Sequence, residues 1–258
     1  MLPAKAFVAL YSMARSPMLK LLSIERSLAP GVVFSRKIGP IYFSNDLGNS
    51  AGYDKEGELL WLNYAMGAGF AIVGTTFNEP NEGNYLSSYL KVNPWTPLPA
   101  SHGAVNYLGL PSKGVDNVVR NIERFKDECQ PIPFPIGGSI MAHPKQKGKA
   151  QLEGTVECLK KLIPHVDFLE INESCPNVHH DAGNDVLEAR LGGLICARDA
   201  YQGQTGRKVP IFVKLGNFGD VSQTVRFMTA LGVDGLVGVN TQKNYETLKQ
   251  NIFRADQE

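Results

Sequence analysis

The chain carries almost no excess charge of either sign. Its 258 residues hold 26 Lys and Arg against 25 Asp and Glu, a net charge of +1. A nucleic-acid-binding surface needs a basic excess or stripe, so that class of partner is not expected. No run approaches the ~20 apolar residues that a membrane-spanning helix requires. Cysteines are few, at Cys129, Cys158, Cys175 and Cys196, with no CxxC pair among them and no secretory signal before them. Free thiols in a reducing, cytoplasmic compartment follow. There is no GxxxxGK[ST] and no strand-linked GxGxxG to cradle a phosphate. The pair His179-His180 beside Asp181 lacks the i,i+4 spacing of a helical metal site, so no metal is expected. What remains is ordinary globular composition, 43% hydrophobic and 20% charged.

Residues 2–23 lack acidic residues altogether but carry Lys5, Arg15 and Lys20 among clustered apolar side chains. Three readings stay open for this segment. It is a helix packed on the domain body, a membrane-surface anchor with its cations at the headgroups, or a cleavable targeting segment. The organisation changes near Pro40, which divides the chain into an N-terminal helical extension (1–38) and a βα domain (39–258).

From residue 45 onward, short apolar runs alternate with helical patterns. Strands are expected at Leu47–Gly52, Phe70–Gly74, Phe134–Ile140, Val166–Ile171, Ile211–Leu215 and Gly235–Asn240. Helices are expected at Gly57–Met66, Val115–Asp127, Lys147–Leu162, Val186–Gln202 and Val221–Leu231. Such alternation builds a parallel sheet. Polar or small residues load nearly every strand's C-terminal end: Ala51-Gly52, Gly74-Thr75, Ser139, Asn172, Lys214 and Asn240-Thr241. These ends converge on one face in a (β/α)8 barrel, whereas an open sheet uses one crevice. The expected fold is therefore an α/β (β/α)8 barrel of which six units are visible, with a six-unit open sheet as the alternative. The last two strands would come from a longer chain or a separate polypeptide. The stretch Asn78–Ser112, rich in Pro, Asn and Ser, reads as a lid or an extra hairpin.

The densest chemical signal is Asn172-Glu173-Ser174-Cys175-Pro176-Asn177, directly after a strand. Two asparagines five apart can bracket a planar ligand with amide edges, since each side chain both donates and accepts. A thiol between them can act as base or nucleophile if its thiolate is accessible. Cys129, Cys158 and Cys196 fall in or beside helical patterns and read as buried fillers. His143 and His165 read as surface or capping residues.

Asn-x-Ser-Cys-Pro-Asn in this position resembles the dihydroorotate dehydrogenase family, flavin-dependent (β/α)8 barrels of pyrimidine biosynthesis. The likeness covers roughly residues 40 to 245. It includes Asn45 through Lys55, Gly74-Thr75-Thr76, Glu82-Gly83-Asn84, Asn106-Tyr107-Leu108-Gly109-Leu110-Pro111, Val213-Lys214-Leu215 and Val239-Asn240-Thr241. The resemblance implies an oxidoreductase that converts dihydroorotate to orotate with FMN. Cys175 would be the base, and Asn106, Asn172, Asn177 and Asn240, with Gly109, Leu110 and Thr241, would hold the ring. Lys55 would face the substrate carboxylate and the flavin. Lys214 would approach the flavin N1–C2 edge, with Ser50, Ala51, Gly52, Gly74, Thr75, Ser139, Asn172 and Val239 around the cofactor. Family members bind the flavin phosphate in loops after strands seven and eight.

The resemblance mixes two subclasses. Cys175 and Leu108-Gly109-Leu110-Pro111 resemble the soluble class, which passes electrons to fumarate or NAD. Gly52-Tyr53-Asp54-Lys55, Gly74-Thr75 and an N-terminal extension resemble the quinone-linked class, which is peripheral to a bacterial or mitochondrial inner membrane. Quinone is the acceptor slightly favoured. Two other functions stay open: a related dihydropyrimidine-reducing flavoprotein, against which Asn177 stands where that group has histidine, and a non-catalytic barrel homologue.

Overall fold

The computed structural model describes residues 35–84, 95–98, 103–128, 134–174, 184–216 and 219–240, with Leu10 and Ala14 as isolated positions. The strands are β1 (Arg36–Ile38), β2 (Ile41–Phe43), β3 (Ala71–Thr76), β4 (Trp95–Leu98), β5 (Gly103–Asn106), β6 (Ile136–Ile140), β7 (Phe168–Asn172), β8 (Ile211–Leu215) and β9 (Gly235–Gly238). The helices are α1 (Leu60–Ala65), α2 (Val115–Glu128), α3 (Gly148–Leu162), α4 (Asn184–Thr205) and α5 (Val221–Ala230). Strands β3, β6, β7, β8 and β9 lie side by side in that order, all parallel.

The first expected strand departs from this regularity. Leu47–Gly52 is not a continuous strand but touches β3 only through bridges at Gly48–Phe70 and Asp54–Val73. Between them the Asn49 side chain does the work of a backbone. Its Nδ2 donates to the Ile72 carbonyl at 2.7 Å, and its Oδ1 accepts the Ile72 amide at 3.0 Å. Asn, Ser and Gly are poor strand formers, and Gly52 has a φ of +98°. Six successive βα positions of a (β/α)8-type barrel are thus present, the first of them broken.

Period-two alternation sorts the sheet into two faces. Ala71, Val73, Ile136, Ile140, Leu169, Ile171, Ile211 and Val213 point outward into one core with the helices. Helix α2 supplies Val115, Val118, Ile122 and Phe125 to it, and α3 supplies Cys158, Leu159 and Leu162. The opposite face holds Ile72 and Phe168, joined by Ile41 and Phe43 from the antiparallel β1–β2 hairpin, with Phe70 and Phe212 packed alongside. Glycines stand directly across from three of these rings: Gly48 from Phe70, Gly137 from Phe168 and Gly235 from Phe212. A Cβ on Gly137 would lie 2.3 Å from the Phe168 ring, so the ring occupies the space a side chain would need.

Several expectations need correcting. The boundary at 38/39 cuts through the β1–β2 hairpin, and Arg36–Ile38 is strand, not helix. Apart from Leu10, Ala14 and residues 35–38, the N-terminal extension lies outside the described residues. Cys158 is buried as expected, but Cys196 is exposed. Helix α4 buries Leu191, Leu194, Ile195 and Arg198, a stripe at helical spacing that leaves Cys196 on the other face. His143 is buried rather than superficial: its Nδ1 accepts the Lys145 amide, and its ring stands edge-on to Phe77 at 5.2 Å. Cys129 lies outside the described residues.

The chain divides into two compact units, residues 25–81 with 112–240, and residues 1–24, 82–111 and 241–258. The described part of the smaller unit contains the antiparallel pair β4–β5, the extra hairpin expected between Asn78 and Ser112. There Asn84 donates from its amide to the Leu108 carbonyl and from Nδ2 to the Tyr107 carbonyl.

Candidate active site

The site is built where the inward positions turn from apolar to polar. On β7 the inward residues run Phe168, Glu170, Asn172, so two steps along one strand lead from aromatic floor to amide. Glu170 stands in register with Ser139 on β6, and Asn172 with Lys214 on β8. Thr75 joins them through an irregularity. Between Gly74 and Thr76, β3 has one residue more than β6, and Thr75 is that extra residue. Bulges of this kind re-aim a side chain next to functional sites. Gly74 makes the close approach possible, since a Cβ there would stand 2.3 Å from the Ser139 carbonyl oxygen.

The side chains form one hydrogen-bonded relay. Asn240 Nδ2 donates to Ser174 Oγ at 2.8 Å, and Ser174 Oγ donates to Asn172 Oδ1 at 2.7 Å. Asn172 Nδ2 donates to Thr75 Oγ1 at 2.9 Å, Thr75 and Ser139 share a 3.0 Å contact, and Ser139 Oγ donates to Glu170 Oε1 at 2.8 Å. Thr75, Ser139, Glu170 and Asn172 are all buried. Burial holds the Glu170 carboxyl above its ordinary range, against the opposing pull of the Lys214 charge and the Ser139 hydrogen bond.

Lys214 is itself buried, yet among the described residues it makes no ion pair. A buried cation without a carboxylate at contact range is costly unless a ligand compensates it. Beside β3, Gly52 leaves open space beyond its Cα, with nothing among the described residues within 4 Å of a hypothetical Cβ, and its amide donates to the Gly74 carbonyl. The Lys214 cation fits the electron-rich ring of a flavin, and the side-chain-free Gly52 leaves room for one. Lys55 is half-buried, Ser50 and Val239 are exposed, and Ala51 is half-buried.

The start of the loop after β7 is pinned. The Glu173 amide donates to the Lys214 carbonyl, and Arg190 of α4 grips both carboxylate oxygens of Glu173 in a buried pair. Losing one partner of such a pair leaves an uncompensated charge.

Of the expected site residues, the structure brings together Thr75, Ser139, Asn172, Lys214 and Asn240, with Gly74 in β3 and Gly52 bonded to its carbonyl. Cys175, Asn177 and Thr241 lie outside the described residues. Asn106, Gly109 and Leu110 belong to the smaller unit, where Asn106 is exposed at the end of β5 and Gly109 and Leu110 are half-buried. Sequence reading missed Glu170 and Ser174. A carboxylate at an inward position of an otherwise apolar strand was the available signal. Among the described residues no cluster of three His, Cys, Asp or Glu could hold a metal, and no helix is long and apolar enough to cross a membrane.

With that geometry in place, comparison with known proteins decides the family. Residues 33–256 match the family profile described as dihydroorotate dehydrogenase. The chain belongs to the dihydroorotate dehydrogenase family. A Delftia acidovorans protein named dihydroorotate dehydrogenase (quinone) is 27% identical over 219 residues, which are 83% of this chain and 61% of that protein. A Stenotrophomonas maltophilia protein of the same name is 30% identical over 230 residues, 86% of this chain and 60% of that one. The chain thus spans about six-tenths of the length of these curated relatives. Among solved structures, DHODH from Eimeria tenella in complex with ferulenol superposes with a TM-score of 0.75 at 22% identity. The match covers 90% of this chain and 66% of that one. Ligand-free DHODH from the same organism gives 0.72 at 23% identity, covering 88% and 68%. The family's shared architecture is the (β/α)8 barrel whose βα units are seen here.

Proposed function

We propose that this chain carries the ring-binding face of a flavin-dependent oxidoreductase that converts dihydroorotate to orotate. Lys214 carries the reading: a buried cation with no ion pair among the described residues, standing where an electron-rich ring would compensate it. FMN, when bound, supplies the two-electron acceptor for the hydride from C6 of the substrate. Lys214, Gly52, Gly74, Thr75 and Asn172 hold its ring, with Ser50, Ala51, Lys55, Ser139 and Val239 at the margins. Asn172 and Asn240 face the pyrimidine edges; by resemblance to the family, Asn106, Asn177, Thr241, Gly109 and Leu110 would contribute to substrate binding as well. Lys55 meets the substrate carboxylate. Cys175 takes the C5 proton, a task for which a thiol of ordinary pKa ~8.5 is far better matched to neutral pH than a serine hydroxyl.

Quinone is the acceptor we favour, because the curated relatives above bear that designation in their names. Residues 2–23 would then bring the flavin to a membrane surface. The visible spectrum of the purified protein is the test. Bound flavin gives a yellow protein whose colour dihydroorotate bleaches without air. Cys175→Ala should slow that bleaching about 10²–10⁴-fold, and wild-type bleaching in the variant would remove Cys175 from its role. A yellow protein that dihydroorotate never bleaches would end the reading. Turnover with quinone, fumarate and NAD in parallel separates the acceptors.

A further inference from the structure

The relay beneath the site has a direction, and that direction is set from its buried end. A hydroxyl has one proton to give. Ser139 gives its proton to Glu170 Oε1, so in the Thr75–Ser139 contact Thr75 must be the donor. Having spent its own proton, Thr75 receives one from Asn172 Nδ2. The orientation of the Asn172 amide follows: Oδ1 turns to Ser174, whose amide and hydroxyl both donate to it, at 3.2 and 2.7 Å. Both lone pairs of Oδ1 are then engaged, while one Nδ2 hydrogen remains.

We propose that Glu170 is a positioning residue: as terminal acceptor of the relay it fixes Asn172 so that this side chain meets the ligand only as a hydrogen-bond donor. The ligand edge at Asn172 is therefore an acceptor, a ring carbonyl or carboxylate oxygen, and a ring presenting N–H there is refused. For the identity of the ligand this rests on the dihydroorotate reading; the relay itself does not.

The charge environment of Glu170 is simple. Lys214 faces it from β8, and β6 contributes the uncharged Ser139. Its second oxygen, Oε2, is buried without a hydrogen-bond partner among the described residues. A proton can therefore settle on Oε2 without breaking the relay, but it turns a charge-assisted bond to Ser139 into a neutral one of roughly half the strength. Burial, which raises this carboxyl, moves that change toward neutral pH. The hold on Asn172 should weaken as Glu170 becomes protonated.

Two variants test this. Glu170→Gln keeps the shape but adds an NH2 that can donate to Ser139, so the end of the relay loses its single direction. Ser139→Ala cuts the relay while leaving the carboxylate, and keeps the question answerable if the first variant does not fold. The ligand-free readout is the side-chain amide of Asn172, followed by nitrogen NMR across pH; the second is orotate affinity over the same range. In wild type the Asn172 amide should follow the Glu170 carboxyl, and orotate should bind more weakly as that group takes up a proton. Both variants should shift the Asn172 signals, abolish their pH dependence and weaken orotate about threefold to tenfold, the size of one hydrogen bond. An Asn172 amide unchanged in both variants at every pH would overturn the proposal. Wild-type protein that binds no orotate while its Asn172 amide titrates normally would count against the dihydroorotate reading and uphold the relay.

Discussion

The inner face of the sheet has two storeys, and on β7 they lie two residues apart. In the lower one Phe43, Phe70, Phe168 and Phe212 pack ring against ring, with centroids 5.5 Å apart for both Phe43–Phe70 and Phe168–Phe212. In the upper one Thr75, Ser139, Glu170 and Asn172 are joined by hydrogen bonds. The lower storey gains from area removed from water and tolerates no polar atom without a partner. The upper storey gains little net from each bond, but every unpaired group in it is expensive. One therefore supplies stability and the other supplies direction, and the alternation of a β-strand lets both be written into five residues of β7.

The comparison can be broken from below first. Phe168→Ala removes the ring at the centre of the lower storey and should cost about 3–5 kcal/mol of unfolding free energy, measured by denaturant titration. A loss near that of a surface substitution would show that the rings are not a floor. Gly137→Ala attacks the same ring from its partner strand, placing a methyl 2.3 Å from Phe168. Overpacking of this kind should cost about 1–3 kcal/mol. Phe168→Leu in the same chain should recover part of it, and strictly additive losses would mean that the two positions do not share space.

The smallest effect belongs to the upper storey and to pH. The Glu170 carboxyl is held above its ordinary 4.5 by burial. The folded chain thus keeps a proton that the unfolded chain has released. The associated stability is fully present below the unfolded value and is lost as pH rises through the folded one. Glu170→Gln should flatten this decline. Thermal unfolding of both proteins from about pH 4 to about pH 8 checks it; a variant that declines as steeply as wild type would show that another group is responsible.

Much of this was legible in the sequence, for identifiable reasons. Helices α2 and α3 were found to within a residue or so, because their apolar residues recur at helical spacing over three or more turns. The strand ends Thr75, Asn172, Lys214 and Asn240 stood out as polar residues closing apolar runs. Leu47–Gly52 misled because its apolar start suggests a ladder, whereas a side-chain amide supplies the pairing. The β1–β2 hairpin was hidden by its shortness, three residues to a strand. Glu170 gave no sign of its role, since nothing in a single sequence tells whether an inward carboxylate has a hydroxyl in register with it. Cys196 and His143 were misjudged because element type says less about exposure than the phase of the residue within the element.

The contact between Thr75 and Asn172 has a geometric consequence. These residues belong to β3 and β7, with β6 lying between them. In a flat sheet, strands two places apart are on the order of 9–10 Å from each other, and their side chains would stand parallel and never meet. Here Nδ2 and Oγ1 are 2.9 Å apart. The bond is a chord drawn under an arch, made possible by the bulge that re-aims Thr75 together with the bowing of the sheet. Flattening the strands would part this chord before it strained any backbone ladder. Bowing of the sheet and the reach from Asn172 to Thr75 are therefore coupled, so a ligand that grips that amide also bears on the arch.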